Sequence, residues 1–229
     1  MIPSSPIFFT SMLLLVPAII LSVYAQFKVK STFKKYSQVK AASGMTGSQA
    51  SRRLLDQAGL SDVAIEVIPG NLSDHYDPRK RVLRLSEAVA GKDSLASLGV
   101  AAHETGHAIQ HARGYVPMKI RSAVVPAASF GSNLGPMIFL AGIFLSTFRP
   151  LMTVGIVLFT AAVIFQIVTL PVEFDASSRA MKLLQNNGIV VGDEAKSAQK
   201  VLSAAALTYV AAALMSILTL VRMILISRE

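Results

Sequence analysis

Four stretches of this chain are apolar over lengths that a soluble helix rarely needs. They are residues 6–25 (PIFFTSMLLLVPAIILSVYA), 123–147 (AVVPAASFGSNLGPMIFLAGIFLST), 150–171 (PLMTVGIVLFTAAVIFQIVTLP) and 203–221 (SAAALTYVAAALMSILTLV). A bilayer core ~30 Å thick takes about 20 residues of α-helix to cross. Each stretch meets that length, so the pattern predicts four transmembrane helices. Val23-Tyr24-Ala25 resembles a small-residue cleavage site, but MIPSS at the start carries no lysine or arginine and the apolar run outlasts a signal-peptide core. The first stretch is expected to be an uncleaved anchor.

Between the apolar stretches the period changes. Thr46-Gly47-Ser48-Gln49 has the form of a capping box, opening a helix that Gly59 closes. Residues 63–68 (VAIEVI) and 81–85 (RVLRL) alternate as strands do, with turn signals at Pro69-Gly70 and Asp77-Pro78. Ser94 can cap a further helix running to about Arg113 and stopped by Gly114. The expected fold is a mainly α membrane protein: four transmembrane helices with a small α+β cytoplasmic domain. Its divisions are 1–25 (first anchor), 26–122 (the α+β region), 123–172 (second and third spans), 173–202 (a cytoplasmic segment) and 203–229 (fourth span and C-terminus).

Composition agrees with the membrane reading. The 229 residues are 52% hydrophobic and 15% charged, with mean hydropathy +0.54. The net charge of +9 reads as topology. Lys28, Lys30, Lys34, Lys35 and Lys40 follow the first apolar stretch, and positive charge beside a span marks the cytoplasmic face. Residues 26–122 and 173–202 then share the cytoplasmic side, and the turn near Arg149 lies outside. No aromatic-interleaved basic motif suggests nucleic-acid binding. There is no cysteine, so neither a disulfide nor a thiolate ligand is available.

The chemistry concentrates in His103-Glu104-Thr105-Gly106-His107, which spells H-E-x-x-H inside the helix that Ser94 opens. Histidines four apart on a helix point the same way and can hold one zinc ion. Glu104 is placed to act as general base toward a water activated by that ion. A catalytic zinc takes a third protein ligand. His111 lies near the same face, but Gln110 and Arg113 stand where a metzincin motif needs Gly and His. His75, in a turn, is a minor candidate. Glu173, just past the third span and on the same side of the membrane, is the favoured third ligand. Pro171 before it is expected to kink or end the third helix and aim Glu173 toward the catalytic helix.

Three blocks in order, DHYDPRKRVLRLS (74–86), VAAHETGHAIQHA (100–112) and LPVEFDASSRA (170–180), resemble the YugP-like neutral zinc metallopeptidases, bacterial membrane proteins distantly similar to the HtpX-type and CAAX prenyl proteases. The resemblance implies His103, His107 and Glu173 as zinc ligands, one zinc per chain, and Glu104 as catalytic base. It implies a zincin-like fold for the cytoplasmic domain, with 26–122 its catalytic region, protein or peptide substrates and a bacterial plasma membrane. A site that cannot leave the bilayer points to membrane or membrane-proximal proteins as substrates, and the lysines turn it to the cytoplasm. HtpX-type relatives carry an aspartate four residues after the third ligand, where this chain has Ser177. Asp175 is expected on the opposite helix face, leaving Asp77 or another group to hold a zinc histidine. His75, Tyr76, Arg179 and Tyr209 are candidates for stabilising an oxyanion. Strand 81–85 either pairs with substrate at a sheet edge or lies inside the sheet. Gly131 and Gly135 suggest close helix packing with Asn133 hydrogen-bonded across it. A zinc-holding scaffold without catalysis is the alternative reading, although Glu104 has no purpose there. A transporter is disfavoured, because the apolar stretches carry essentially no ionisable residue before Arg222.

Overall fold

The computed structural model describes residues 6–70, 72–145 and 148–228. The MIPSS start and the last two residues of the second apolar stretch lie outside them. In chain order the elements are helices α1 (Pro6–Leu13), α2 (Val16–Tyr36) and α3 (Gly47–Gln57), and strands β1 (Ala64–Ile68), β2 (His75–Asp77) and β3 (Val82–Ser86). Helices α4 (Glu87–Ala90), α5 (Leu95–Ala112), α6 (Val116–Phe144), α7 (Pro150–Asn186) and α8 (Asp193–Ser227) follow. The protein is mainly α. Four helical stretches are long and apolar enough to cross a membrane: Thr10–Tyr36, Val116–Phe144, Pro150–Asn186 and Asp193–Ser227.

Each of the four outruns the apolar stretch that announced it. The first breaks at Leu14–Leu15 before resuming, because Pro17 has no N–H to offer the Leu13 carbonyl. The amides of Leu14 and Leu15 turn instead to Ser11 and Met12, three residues back. Pro171 was expected to kink or end its helix, yet α7 continues fifteen residues past it to Asn186, so the ending is corrected. Helix α7 can absorb the proline because only one backbone donor is lost within a helix packed on both sides of the gap.

The chain divides into two units. One comprises the chain to Ala25, Lys119–Pro171 and the residues from Thr208 onward. Its core joins Phe139 and Ile143 of α6, Met152, Phe159 and Val163 of α7, and Met223 and Ile226 of α8. Helices α6 and α7 meet backbone to backbone. A Cβ on Gly155 would fall 2.6 Å from the Gly135 carbonyl oxygen, and one on Gly131 would overlap that of Leu158. The expected glycine crossing is therefore present, but Asn133 does not bridge it. Its amide donates to the Ser129 carbonyl of its own helix at 2.9 Å, and the side chain is exposed.

The second unit comprises Gln26–Met118 and Val172–Leu207. Its sheet has the order β1-β3-β2, with β1 parallel and β2 antiparallel to β3. Strand 81–85 is thus central, which removes it as a substrate-pairing edge. β2 and the one-turn α4 are elements that the sequence reading missed; β2 is three residues long inside what reads as a turn. The capping box forms, with the Thr46 amide on the Gln49 side chain at 2.9 Å and the Gln49 amide on the Thr46 hydroxyl at 3.3 Å. Gly59, at φ +75°, supplies the left-handed exit from α3.

Candidate metal centre

Helix α5 carries the H-E-x-x-H residues and is buried along nearly its whole length. The Ser94 hydroxyl accepts the Ser97 amide at 3.1 Å and starts the helix, and Gly114, at φ +63°, ends it. On one side Leu98 and Ala102 pack with Leu54 of α3 and with Leu184 of α7 and Leu202 of α8. On another, Ala101, Ala108 and Ile109 pack with Leu83 and Leu85 of β3 and with Val172 of α7. Burying each such leucine contributes roughly 1.5–3 kcal/mol. Thr105 anchors the back of the motif, donating to the Ala101 carbonyl at 2.8 Å beside Ser51 of α3.

Gly106 decides how closely α5 meets α7. A Cβ there would sit 2.8 Å from the Ala176 carbonyl oxygen and 3.3 Å from the Ala176 Cα. The two backbones touch at this point, and that brings Glu173 to the histidines. Glu173 Oε2 lies 3.1 Å from His103 Nε2 and 3.5 Å from His107 Nε2. Glu173 is 2% exposed. One ligand atom from each of His103, His107 and Glu173 falls within 4.8 Å of the others, which is the convergence a single metal ion needs. Two imidazole nitrogens and a carboxylate oxygen match the donor set of a catalytic zinc.

Glu104 is 9% exposed on the same helix. Burial pushes its carboxyl above the ordinary range, against the smaller pull of the neighbouring His103 and His107. Burial pulls the His107 imidazole down, but its bond to Glu173 and the Glu104 charge outweigh that and leave it raised.

The outer ring of partners corrects the sequence reading. Ser177 takes the place of the absent aspartate, with its Oγ 3.1 Å from His103 Nδ1. His107 Nδ1 lies 3.0 Å from Gln110 Oε1. The Gln110 amide nitrogen donates to the Val172 carbonyl at 2.8 Å and to Asp175 Oδ2 at 2.7 Å. Asp175 therefore reaches the site at one remove, which the opposite-face argument did not foresee. Asp77 holds neither His103 nor His107. It accepts from Arg84 at 3.0 Å and from the amides of Arg79 and Lys80.

The remaining candidates have other partners. His111 Nδ1 lies 2.9 Å from the Tyr76 hydroxyl, so both belong to a packing contact between α5 and β2. His75 is exposed and bonds the Ser73 carbonyl at 2.8 Å. Neither histidine joins the cluster. Arg179 donates to Asp175 at 2.5 Å and lies over the Tyr115 ring. Tyr209 belongs to the other unit.

Comparison with known proteins agrees with this cluster. The family described as "Putative neutral zinc metallopeptidase" matches residues 11–228. "Putative membrane protease YugP" of Bacillus subtilis (strain 168) is 50% identical over 213 residues, 93% of this chain and 94% of the relative. No solved structure matches. The match spans nearly the whole chain, from within the first apolar stretch to the end of α8, and the chain belongs to the neutral zinc metallopeptidase family.

Proposed function

We propose that the chain is a membrane-embedded zinc endopeptidase that hydrolyses peptide bonds of membrane or membrane-proximal proteins. The observation that carries this is the buried convergence of His103, His107 and Glu173 within 4.8 Å. The printed name of the Bacillus relative, a membrane protease, supports the same reading.

His103 and His107 present two nitrogens and Glu173 one carboxylate oxygen, which would hold one zinc ion per chain and leave a position for substrate. Bound there, zinc supplies Lewis-acid polarisation of the scissile carbonyl and acidifies the attacking water. Glu104 accepts the proton of that water as it attacks. Its burial raises its basicity once ionised, which suits it to the task. Glu104 then returns the proton to the leaving amine. Glu104, His107 and Glu173 are buried, which limits the bulk water that competes for these protons. The lysines after the first span support a site on the cytoplasmic side of the membrane.

Two variants of the purified protein test the proposal. Wild type is expected to hold near one zinc per chain, and Glu173→Ala far less. Glu104→Gln is expected to keep its zinc and lose peptidase activity by at least ~100-fold, the lower end for a general acid–base group. Full activity in Glu104→Gln would sink the mechanism. A folded wild type without zinc would sink the site.

A further inference from the structure

We infer that Gln110, Asp175 and Arg179 form a positioning relay that locks His107 as the Nδ1–H tautomer and so turns its Nε2 lone pair toward the metal. The inference rests on the zinc-site reading above.

Its argument is one of donors and acceptors. Gln110 is fully buried, so its amide must find partners inside the protein. The amide nitrogen sits 2.8 Å from the Val172 carbonyl and 2.7 Å from the Asp175 carboxylate. Both of those groups can only accept, so this end of the side chain must be the NH2. The other end is then the carbonyl oxygen, and it lies 3.0 Å from His107 Nδ1. A carbonyl oxygen can only accept, so Nδ1 must carry the proton. In a neutral imidazole that leaves Nε2 bare. Nε2 is the atom that faces Glu173.

Arg179 fixes the far end. Its Nε donates to the same Asp175 oxygen that Gln110 uses, at 2.5 Å. The carboxylate is thereby held in place, and its charge polarises the amide toward His107. Gln110 lies on α5, three residues from His107, while Asp175 lies on α7, two from Glu173. The relay therefore ties the second histidine to the helix that bears the third ligand. His103 has no equivalent. Its partner Ser177 is a hydroxyl, which can donate or accept and dictates no tautomer.

The experiment uses the full chain in detergent and reads zinc affinity by chelator competition, next to thermal melting of the zinc-stripped protein. Gln110→Met keeps the volume and removes both ends of the amide. It is expected to weaken zinc binding by roughly 10- to 100-fold, the range for outer partners of metal histidines. Imidazole 15N shifts should show His107 protonated at Nδ1 in wild type. Wild-type affinity in Gln110→Met, or a wild-type His107 protonated at Nε2 and not at Nδ1, overturns the relay. If Gln110→Met does not fold, Arg179→Met at the partly exposed end decides: weaker zinc with unchanged melting supports the relay, and unchanged zinc overturns it. A wild type that binds no zinc fails the site reading itself, and the relay with it.

Discussion

Ser177 is the point at which one residue sets how firmly a proposed metal ligand is held. Its hydroxyl meets His103 Nδ1 at 3.1 Å, where a carboxylate would form a charge-assisted bond and raise the basicity of the ring. Ser177→Asp is therefore expected to tighten zinc binding by about 10-fold, and Ser177→Ala to weaken it by less than Gln110→Met does. Chelator competition on the three variants measures both. A looser Ser177→Asp would show that His103 is oriented by something else. His103, His107 and Glu173 were legible in the sequence because the first two repeat at helical spacing and the third follows an apolar stretch. Gln110 was legible only as the residue that spoils a metzincin motif. Its role was hidden because its acceptors lie on another helix, more than 60 residues along the chain.

Between elements, the contact that matters most is the one at Gly106. With a Cβ 2.8 Å from the Ala176 carbonyl oxygen, Gly106→Ala must push α5 and α7 apart. Overpacking of this kind costs about 1–3 kcal/mol. The expected outcome is a lower melting temperature together with weaker zinc binding, since Glu173 recedes with its helix. Loss of stability with unchanged zinc affinity would mean that the ligands do not depend on this crossing. The elements themselves were largely readable. Capping residues and left-handed glycines mark α3 and α5, and alternation marks β1 and β3. What was not readable was their order in space. Nothing local tells β3 that it is central, and β2 is too short for its alternation to show. The helices outran their apolar stretches for a related reason: polar residues beyond the spans continue the same hydrogen-bond ladder, as α7 does through Pro171 to Asn186.

For the whole chain the open proposal is orientation, and the composition provides a clean way to read it. Because there is no native cysteine, a single introduced thiol reports its own side of the membrane. Gln57 and Gln199 are exposed residues of the unit that contains the metal cluster, and Phe148 is exposed in the turn between α6 and α7. Gln57→Cys and Gln199→Cys are expected to react with an impermeant thiol reagent only after cells are permeabilised. Phe148→Cys is expected to react in intact cells. The reverse pattern would place the site outside. The four spans were legible from apolar length alone, and the borders between the two units fall inside continuous helices such as α6, α7 and α8.

The two parts of the proposed ligand set stand 70 residues apart, with α6 and the apolar first part of α7 emerging from the ribosome between them. During synthesis the histidine pair is made first, and the carboxylate follows only after both intervening crossings have been translated. On the proposed function, a chain still being threaded into the bilayer holds two ligands out of three, and hydrolysis waits until both crossings have been made.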